Sequence, residues 1–427
     1  MTHFHIAAGL LVLSAMASYL NHRFIRLPAT IGMMVISLIA SIGLVMLSHT
    51  NILNPVEVSS FVKELDFSDL LLHGMLGFLL FAGALHINLG DLRSDKLPVA
   101  VLATVGVLIA TLITGSLFWM IAYLLGFKIL YIYALLFGAL ISPTDPVAIT
   151  GILRTVGVQK SLATKIAGES LFNDGIAVVL FITLTGIASG TTVLNPEGIS
   201  LLIFRELLGG ILVGLTLGWI TYHLIRSVDA YQVEILLTLA LVAFTYSLAE
   251  IIGVSAPIAV VVAGLLIGNH GRNFAMTKNS RTSLDNFWEL MDEFLNAILF
   301  VLIGLEIITL DISGLHLLLG CLTIFAVLIG RYFSVLLPIR FLENWRTFSP
   351  GTIPVLTWAG LRGGISIALA LSLPTSSERG LILSSTYIIV IFSVLVQGLT
   401  IGKLIQITLP ASASRITGNE QPSLNKL

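Results

Sequence analysis

Eight consecutive residues, Gly168-Glu169-Ser170-Leu171-Phe172-Asn173-Asp174-Gly175, place two carboxylates, an amide and a hydroxyl inside an apolar run, 163–188, long enough to cross a bilayer. An ionisable side chain at membrane depth is costly unless paired or hydrated, so it marks a functional site by default. On a helix, Ser170 and Asp174 share one stripe at i,i+4, and Glu169 and Asn173 share the neighbouring stripe. Asp174 with Ser170 is therefore expected to face a cavity while Glu169 turns towards another partner. A polar cluster that only pins helix packing needs fewer carboxylates than this.

A second group stands in Ser142-Pro143-Thr144-Asp145-Pro146, at the centre of the apolar run 129–153. Each proline removes an amide donor and clashes with the preceding turn. A helix broken at membrane depth must line a cavity or be buried in protein, and there it offers carbonyls and helix ends to a small ion. Thr144, Ser170, Asn173 and Asp174 together supply carbonyl, hydroxyl, amide and carboxylate oxygens, the donors that hard cations prefer. A Na⁺ ion is expected at Asp174, Ser170 and Thr144, and no His/Cys cluster competes for a transition metal. A carboxylate shielded from water holds either a proton or a cation, not both. Asp174 is the expected exchanging group. Asp145 reads equally well as a second ion-binding carboxylate or as a cap of the broken helix.

Glu169 needs a cationic partner. Of the arginines only Arg205, Arg331 and Arg362 are counted within apolar segments, Arg340 at the end of 315–341 being counted with the inner loop, and Arg205 lies near the end of its own. Arg331 has no local acid, so it is paired with Glu169 as a structural bridge, because removing one partner of a buried pair costs ~3–5 kcal/mol. Arg362 sits in Gly360-Leu361-Arg362-Gly363-Gly364, a second interruption, where its charge compensates an exposed helix end or screens the cavity. The remaining polar residues receive plainer readings. Glu250 and Glu306 are expected to snorkel at segment ends. His73 and His86 are read as packing residues rather than pH sensors. Asp292, Glu293 and Asn296 are read as a solvated helix start rather than a cation funnel.

The elements that must position these groups follow from composition. Of 427 residues, 56% are hydrophobic and 11% charged, with a mean hydropathy of +1.00; soluble domains carry roughly 25% charged residues. The chain is a polytopic membrane protein. A span needs roughly 20 apolar residues, and that ruler gives segments at 5–20, 28–47, 67–87, 97–126, 129–153, 163–188, 201–225, 232–252, 255–269, 287–310, 315–341, 351–373 and 380–405. With the N-terminus outside, sixteen of the 22 Lys and Arg fall on the inner side and only Lys63, Lys128 and Arg379 outside. That bias implies an outer N-terminus, a cytoplasmic C-terminus and an odd number of spans.

Asp145 and Arg362, one in each interruption, stand 217 residues apart, and the first and eighth segments begin 227 apart. Two six-span halves joined by the seventh span give such an offset, the sequence pattern of a transporter with inverted repeats. The net charge of −1 with no basic stripe gives no sign of nucleic acid. The single cysteine, Cys321, precludes an intrachain disulfide. The N-terminus reads as an uncleaved first span. Loops near 48–66 and 270–286 are too short to fold alone, and the tail after Leu409 is polar. An intramembrane aspartyl protease is set aside, since no Gly-x-Gly-Asp loop is present. A channel or a non-transporting sensor would lack coupled fluxes. No enzyme activity, organic cofactor or energy-coupling domain is expected, so an ion gradient should drive transport.

These residues resemble a known family. Residues 137–148, Phe-Gly-Ala-Leu-Ile-Ser-Pro-Thr-Asp-Pro-Val-Ala, look like the PTDPVA signature of the cation:proton antiporter superfamily. Residues 168–175 are similar to the GESLxND signature of its electroneutral branch. Residues 360–366, and 287–290 through 302–306, match the same branch. The chain resembles an NhaP-type Na⁺/H⁺ antiporter. That resemblance implies an all-α fold of about 13 transmembrane helices, with two discontinuous helices crossing near the midplane, and a homodimer in the cell membrane. It implies dimerisation-side helices in 1–96 and 231–311, core helices in 97–189 and 312–406, a linker helix in 190–230 and a cytoplasmic tail in 407–427. It implies electroneutral exchange of one Na⁺ or Li⁺ for one H⁺ by alternating access. K⁺/H⁺ exchange through the same site is the alternative. Asp174 maps onto the ion-binding aspartate, with Asn173, Ser170 and the Thr144 backbone beside it, and Glu169 with Arg331 onto a stabilising salt bridge. Relatives often carry an acidic ligand on the third span, where this chain has Leu79-Leu80-Phe81-Ala82-Gly83-Ala84-Leu85-His86 and no acid.

Overall fold

A computed structural model describes residues 3–49, 67–145, 160–190, 196–309, 314–346, 348–374 and 376–408. Among these the chain is helical with no strand. α1 (His3–Leu20) runs through a π turn, Asn21–Ile25, into a corner of 107° before α2 (Ala29–His49). α3 (Phe67–His86) and α4 (Leu89–Leu124) follow, then the short α5 (Tyr131–Ile141). α6 (Lys160–Ala188), α7 (Pro196–Arg226) and α8 (Tyr231–Ile252) are long and continuous. α9 (Ala256–Leu266) ends in a π turn, Ile267–Gly271. α10 (Lys278–Glu306) and α11 (Gly314–Leu342) precede two short helices, α12 (Thr352–Trp358) and α13 (Gly364–Leu371), and the chain closes with α14 (Arg379–Thr408).

Seven of these helices, α3, α4, α6, α7, α8, α11 and α14, are long and apolar enough to cross a membrane, and α1 and α2 pass that test only together. Their outward faces carry exposed Phe204, Leu212, Leu236 and Phe325, as a lipid-facing surface does. The interrupted segments give shorter helices. α5 has 11 residues, and α12 and α13 have 7 and 8.

Two expected boundaries move. α4 begins at Leu89 because Asn88 caps it, accepting from Gly90 N at 2.7 Å. α10 begins at Lys278 because Thr277 caps it, accepting from Ser280 N at 3.3 Å. Capping outweighs the charged residues in these first turns, so most of the expected loop at 270–286 is helix. The loop at 50–66, Pro146-Val147-Ala148, the rest of the fifth segment and the tail beyond 408 lie outside the described residues, with the charges Lys63, Arg154, Arg415 and Lys426.

Packing concentrates on two sides of α6, and the two sides also meet directly, α3 with α13, α10 with α13 and α2 with α14. On one side α4, α5, α11, α12, α13 and α14 contact one another. On the other α2, α3, α7, α8, α9 and α10 do so. α6 touches α4 and α5 on the first side and α7 and α9 on the second. Small residues allow close approach where helices cross. A Cβ on Gly138 would stand 2.3 Å from Thr111 O, and one on Gly214 would stand 2.2 Å from Ala259 O. On α6 itself, a Cβ at Gly175 would meet Ile258 Cγ1 of α9 at 2.7 Å.

Candidate ion-binding site

α5 stops at Ile141, just before Pro143, and residues 143–145 have no regular structure. α12 stops at Trp358, and the chain is irregular until Gly364 starts α13. The two interruptions lie against each other. Asp145 N donates to Leu361 O at 2.8 Å. The Arg362 guanidinium donates through Nη1 to Ser142 O at 2.5 Å and Pro143 O at 2.8 Å. Arg362 thus caps the carbonyl end of α5, where a cation is stabilised by the helix dipole. Its own backbone N donates to Ser393 Oγ at 2.8 Å, at a π turn (Ser393–Gln397) within α14. A Cβ on Gly363 would lie 2.3 Å from the Asp145 carboxylate, so a side chain here would displace Asp145.

α6 passes beside the crossing. Its apolar faces bury Leu171, Val178 and Val179, and its polar stripes turn towards the two interruptions. Thr144 Oγ1 and Ser170 Oγ are 2.8 Å apart. Asn173 Nδ2 donates to Thr144 Oγ1 at 2.8 Å, and Asn173 Oδ1 accepts from Thr144 N at 3.3 Å. Thr144, Ser170 and Asn173 are each at most 3% exposed, and Asp174 is 3% exposed. Asp174 Oδ1 has no hydrogen-bond partner among the described residues. Asp174, Thr144 and the half-buried Asp145 line one cavity of about 520 Å³.

Glu169 takes the other side of α6. Arg331 of α11 forks onto its carboxylate, Nη1 to Oε1 and Nη2 to Oε2, the latter at 3.1 Å. The same guanidinium reaches Leu356 O of α12 through Nη2 at 3.0 Å and Nε at 3.3 Å. The pair is buried on both sides and ties three helices. The third span arginine, Arg205, donates to Ile252 O at 2.8 Å, the carbonyl end of α8.

Several plainer readings are corrected. Asp292, Glu293 and Asn296 line the same cavity as Asp174, and Asn296 is 2% exposed. Its amide bonds Asp292 O at 2.7 Å and Asp292 Oδ1 at 3.1 Å. The capped start of α10 carries Asn296 into the protein and leaves Asp292 half-buried, while Glu293 stays exposed as at a solvated helix start. Glu306 does not snorkel, being buried at 7% exposure. His73 is no packing residue. It is exposed and lies 2.8 Å from Asp69 Oδ1 and 3.3 Å from Glu250 Oε1. His86 lines the cavity mouth, with Nδ1 2.8 Å from Ala82 O.

Sequence reasoning also passed over Ser366, which is 1% exposed and lines the cavity. A serine two residues past a double glycine was its only signal. The role of Ser393 had no local signal, since a π turn inside an apolar run sets it.

A family model described as the sodium/hydrogen exchanger, transmembrane, matches residues 10–406. The Na(+)/H(+) antiporter NhaP of Pseudomonas aeruginosa is 49% identical over 406 residues, covering 94% of this chain and 96% of that protein. The Na(+)/H(+) antiporter NhaH of Halobacillus aidingensis is 33% identical, covering 90% and 93%. In fold, the chain is similar to the sodium proton antiporter MjNhaP1 of Methanocaldococcus jannaschii at pH 8. The TM-score is 0.71 at 21% identity, covering 95% of this chain and 98% of that one.

Proposed function

The chain belongs to the sodium/hydrogen exchanger family, and we propose that it exchanges Na⁺, and Li⁺, for H⁺ across the cell membrane. The observation that carries this reading is the buried Asp174 carboxylate. It has one oxygen without a partner and lines a cavity at the crossing of two interrupted helices. A buried polar atom is normally partnered. A proton or a small cation supplies the partner, and one carboxylate accepts only one of them at a time.

Exchange follows from that competition. Loaded with Na⁺ or with H⁺, Asp174 is neutralised and the site can change its access. Empty and charged, it cannot. One carboxylate charge per cycle gives one-for-one, electroneutral exchange. Thr144, Ser170 and Asn173 shape the site beside Asp174. Asp145 adds negative charge to the same cavity, and Arg362 holds the α5 end in place. Glu169 and Arg331 brace α6 against α11 and α12 without meeting the ion.

The helices packed on the α4 side of α6 form the moving core in this reading. Those on the α7 side form a scaffold that pairs with a second copy, as suits the least buried of the long helices, α7. The N-terminus lies outside and the C-terminus in the cytoplasm.

The test is fluorescence dequenching in proteoliposomes holding a pH gradient. Adding Na⁺ or Li⁺ releases the gradient in the wild type, a potassium/valinomycin clamp leaves the response unchanged, and Asp174→Asn abolishes it. Lower pH raises the apparent KM for Na⁺ and leaves the maximal rate at saturating Na⁺ intact. A response to K⁺ alone would change the substrate. An undiminished Asp174→Asn would move the site to Asp145.

A further inference from the structure

The cavity holds two buried side-chain atoms, on different helices, that lack a hydrogen-bond partner among the described residues. One is Asp174 Oδ1 on α6. The other is Ser366 Oγ on α13, whose residue is 1% exposed. Buried hydroxyls are rarely left unpaired, because the desolvation of the group is then uncompensated. Two such atoms on residues that line one cavity point to a shared occupant.

The other polar groups at the crossing are already engaged. Thr144, Ser170 and Asn173 are bonded to one another in the network described above. The α3 wall gives the cavity Leu79, Leu80, Ala82 and Gly83, none with a side-chain oxygen. A hard cation wants several oxygen ligands, more than the Asp174 carboxylate supplies by itself. Charge does not oppose a cation beside Ser366. Asp174 and Asp145 line the cavity, whereas Arg362 does not, its guanidinium being turned to the Ser142 and Pro143 carbonyls.

We propose that Ser366 is a direct ligand of the transported cation, its Oγ completing from α13 the coordination that Asp174 begins on α6. This rests on the reading of Asp174 as the exchanging group. A hydroxyl from the second interrupted segment then makes cation binding join the two interrupted segments, while a proton on Asp174 makes no use of Ser366. Ser366 therefore weighs on the cation and not on the proton, and it sets the preference among Na⁺, Li⁺ and K⁺.

Ser366→Ala should raise the apparent KM for Na⁺ roughly three- to tenfold. It should also shift the Li⁺-to-Na⁺ KM ratio while the maximal rate stays within about twofold. Without cations, its thermal stability in detergent should match or exceed the wild type, since a buried unpaired hydroxyl is removed. Ser366→Thr keeps the oxygen and should recover the Na⁺ KM. Na⁺-dependent thermal stabilisation of the purified protein should weaken in Ser366→Ala to the same degree as the KM.

Asp174→Asn, measured alongside, separates the two claims. If it still exchanges ions and is still stabilised by Na⁺, the site reading falls and Ser366 falls with it. If it is silent while Ser366→Ala keeps the wild-type KM, ion ratio and Na⁺ stabilisation, only the Ser366 assignment is overturned. If Ser366→Ala loses stability without cations and Thr does not rescue KM, the residue serves packing and the proposal is likewise overturned.

Discussion

Glu169 and Asp174 lie five residues apart on one helix and are 1% and 3% exposed, yet they are held in opposite ways. Glu169 is gripped by a bidentate guanidinium that also reaches the α12 backbone. Asp174 lines a cavity and keeps an oxygen without a partner. Equal burial therefore does not mean equal duty. A carboxylate whose charge is met by a fixed cation is part of the frame. One whose charge is met by nothing fixed is available to a mobile ion. The helical stripe separates the two, since five residues turn the side chain well away from its neighbour's direction.

The sharpest way to break this contrast is Asp174→Asn, which should lose coupled exchange completely while the melting temperature in detergent stays near that of the wild type. An unfolded Asp174→Asn would make Asp174 a frame residue after all. Glu169→Gln should show the converse. It strands Arg331 in a buried site at a cost of ~3–5 kcal/mol, read as a marked drop in thermal stability. Replacing both partners with leucine should recover much of that loss, because apolar pairs of similar volume are often tolerated where a lone charge is not.

A smaller effect is expected at Arg362→Gln. Hydrogen bonds to a charged group are worth ~1.5–3 kcal/mol, and the Ser142 and Pro143 carbonyls would lose theirs, lowering stability and the maximal exchange rate together. The smallest is Ser170→Ala, which removes one neutral hydrogen bond to Thr144. About 1 kcal/mol corresponds to roughly fivefold in the KM for Na⁺, with stability nearly unchanged.

How far the sequence alone reaches depends on whether a residue's partner can be counted. Prolines 143 and 146 and glycines 360, 363 and 364 mark the interruptions through backbone chemistry, so the two discontinuous segments are legible before any coordinates. The contact between Glu169 and Arg331 is within reach because only three arginines are counted within apolar segments and one of them is near an end. Asp292 and Asn296 are not legible. Near a segment start, polar residues at i,i+4 look like a solvated turn, and only the cap at Thr277 moves the helix start and carries them to the cavity. His73 is missed for a related reason. Its two carboxylates come from its own preceding turn and from α8, and no local pattern joins position 73 to position 250. Ser366 and Ser393 depend on the crossing itself, a relation between residues far apart in the chain.

The contact at Gly175 has a mechanical consequence. Ile258 of α9 approaches so closely that a methyl group there would stand 2.7 Å from its Cγ1, and the preceding residue on α6 is Asp174. α6 and α9 are in close contact at that point. The position of α9 is thus felt one residue away from the carboxylate, through the Ile258 side chain. The candidate site is therefore also sensitive to where α9 stands against α6.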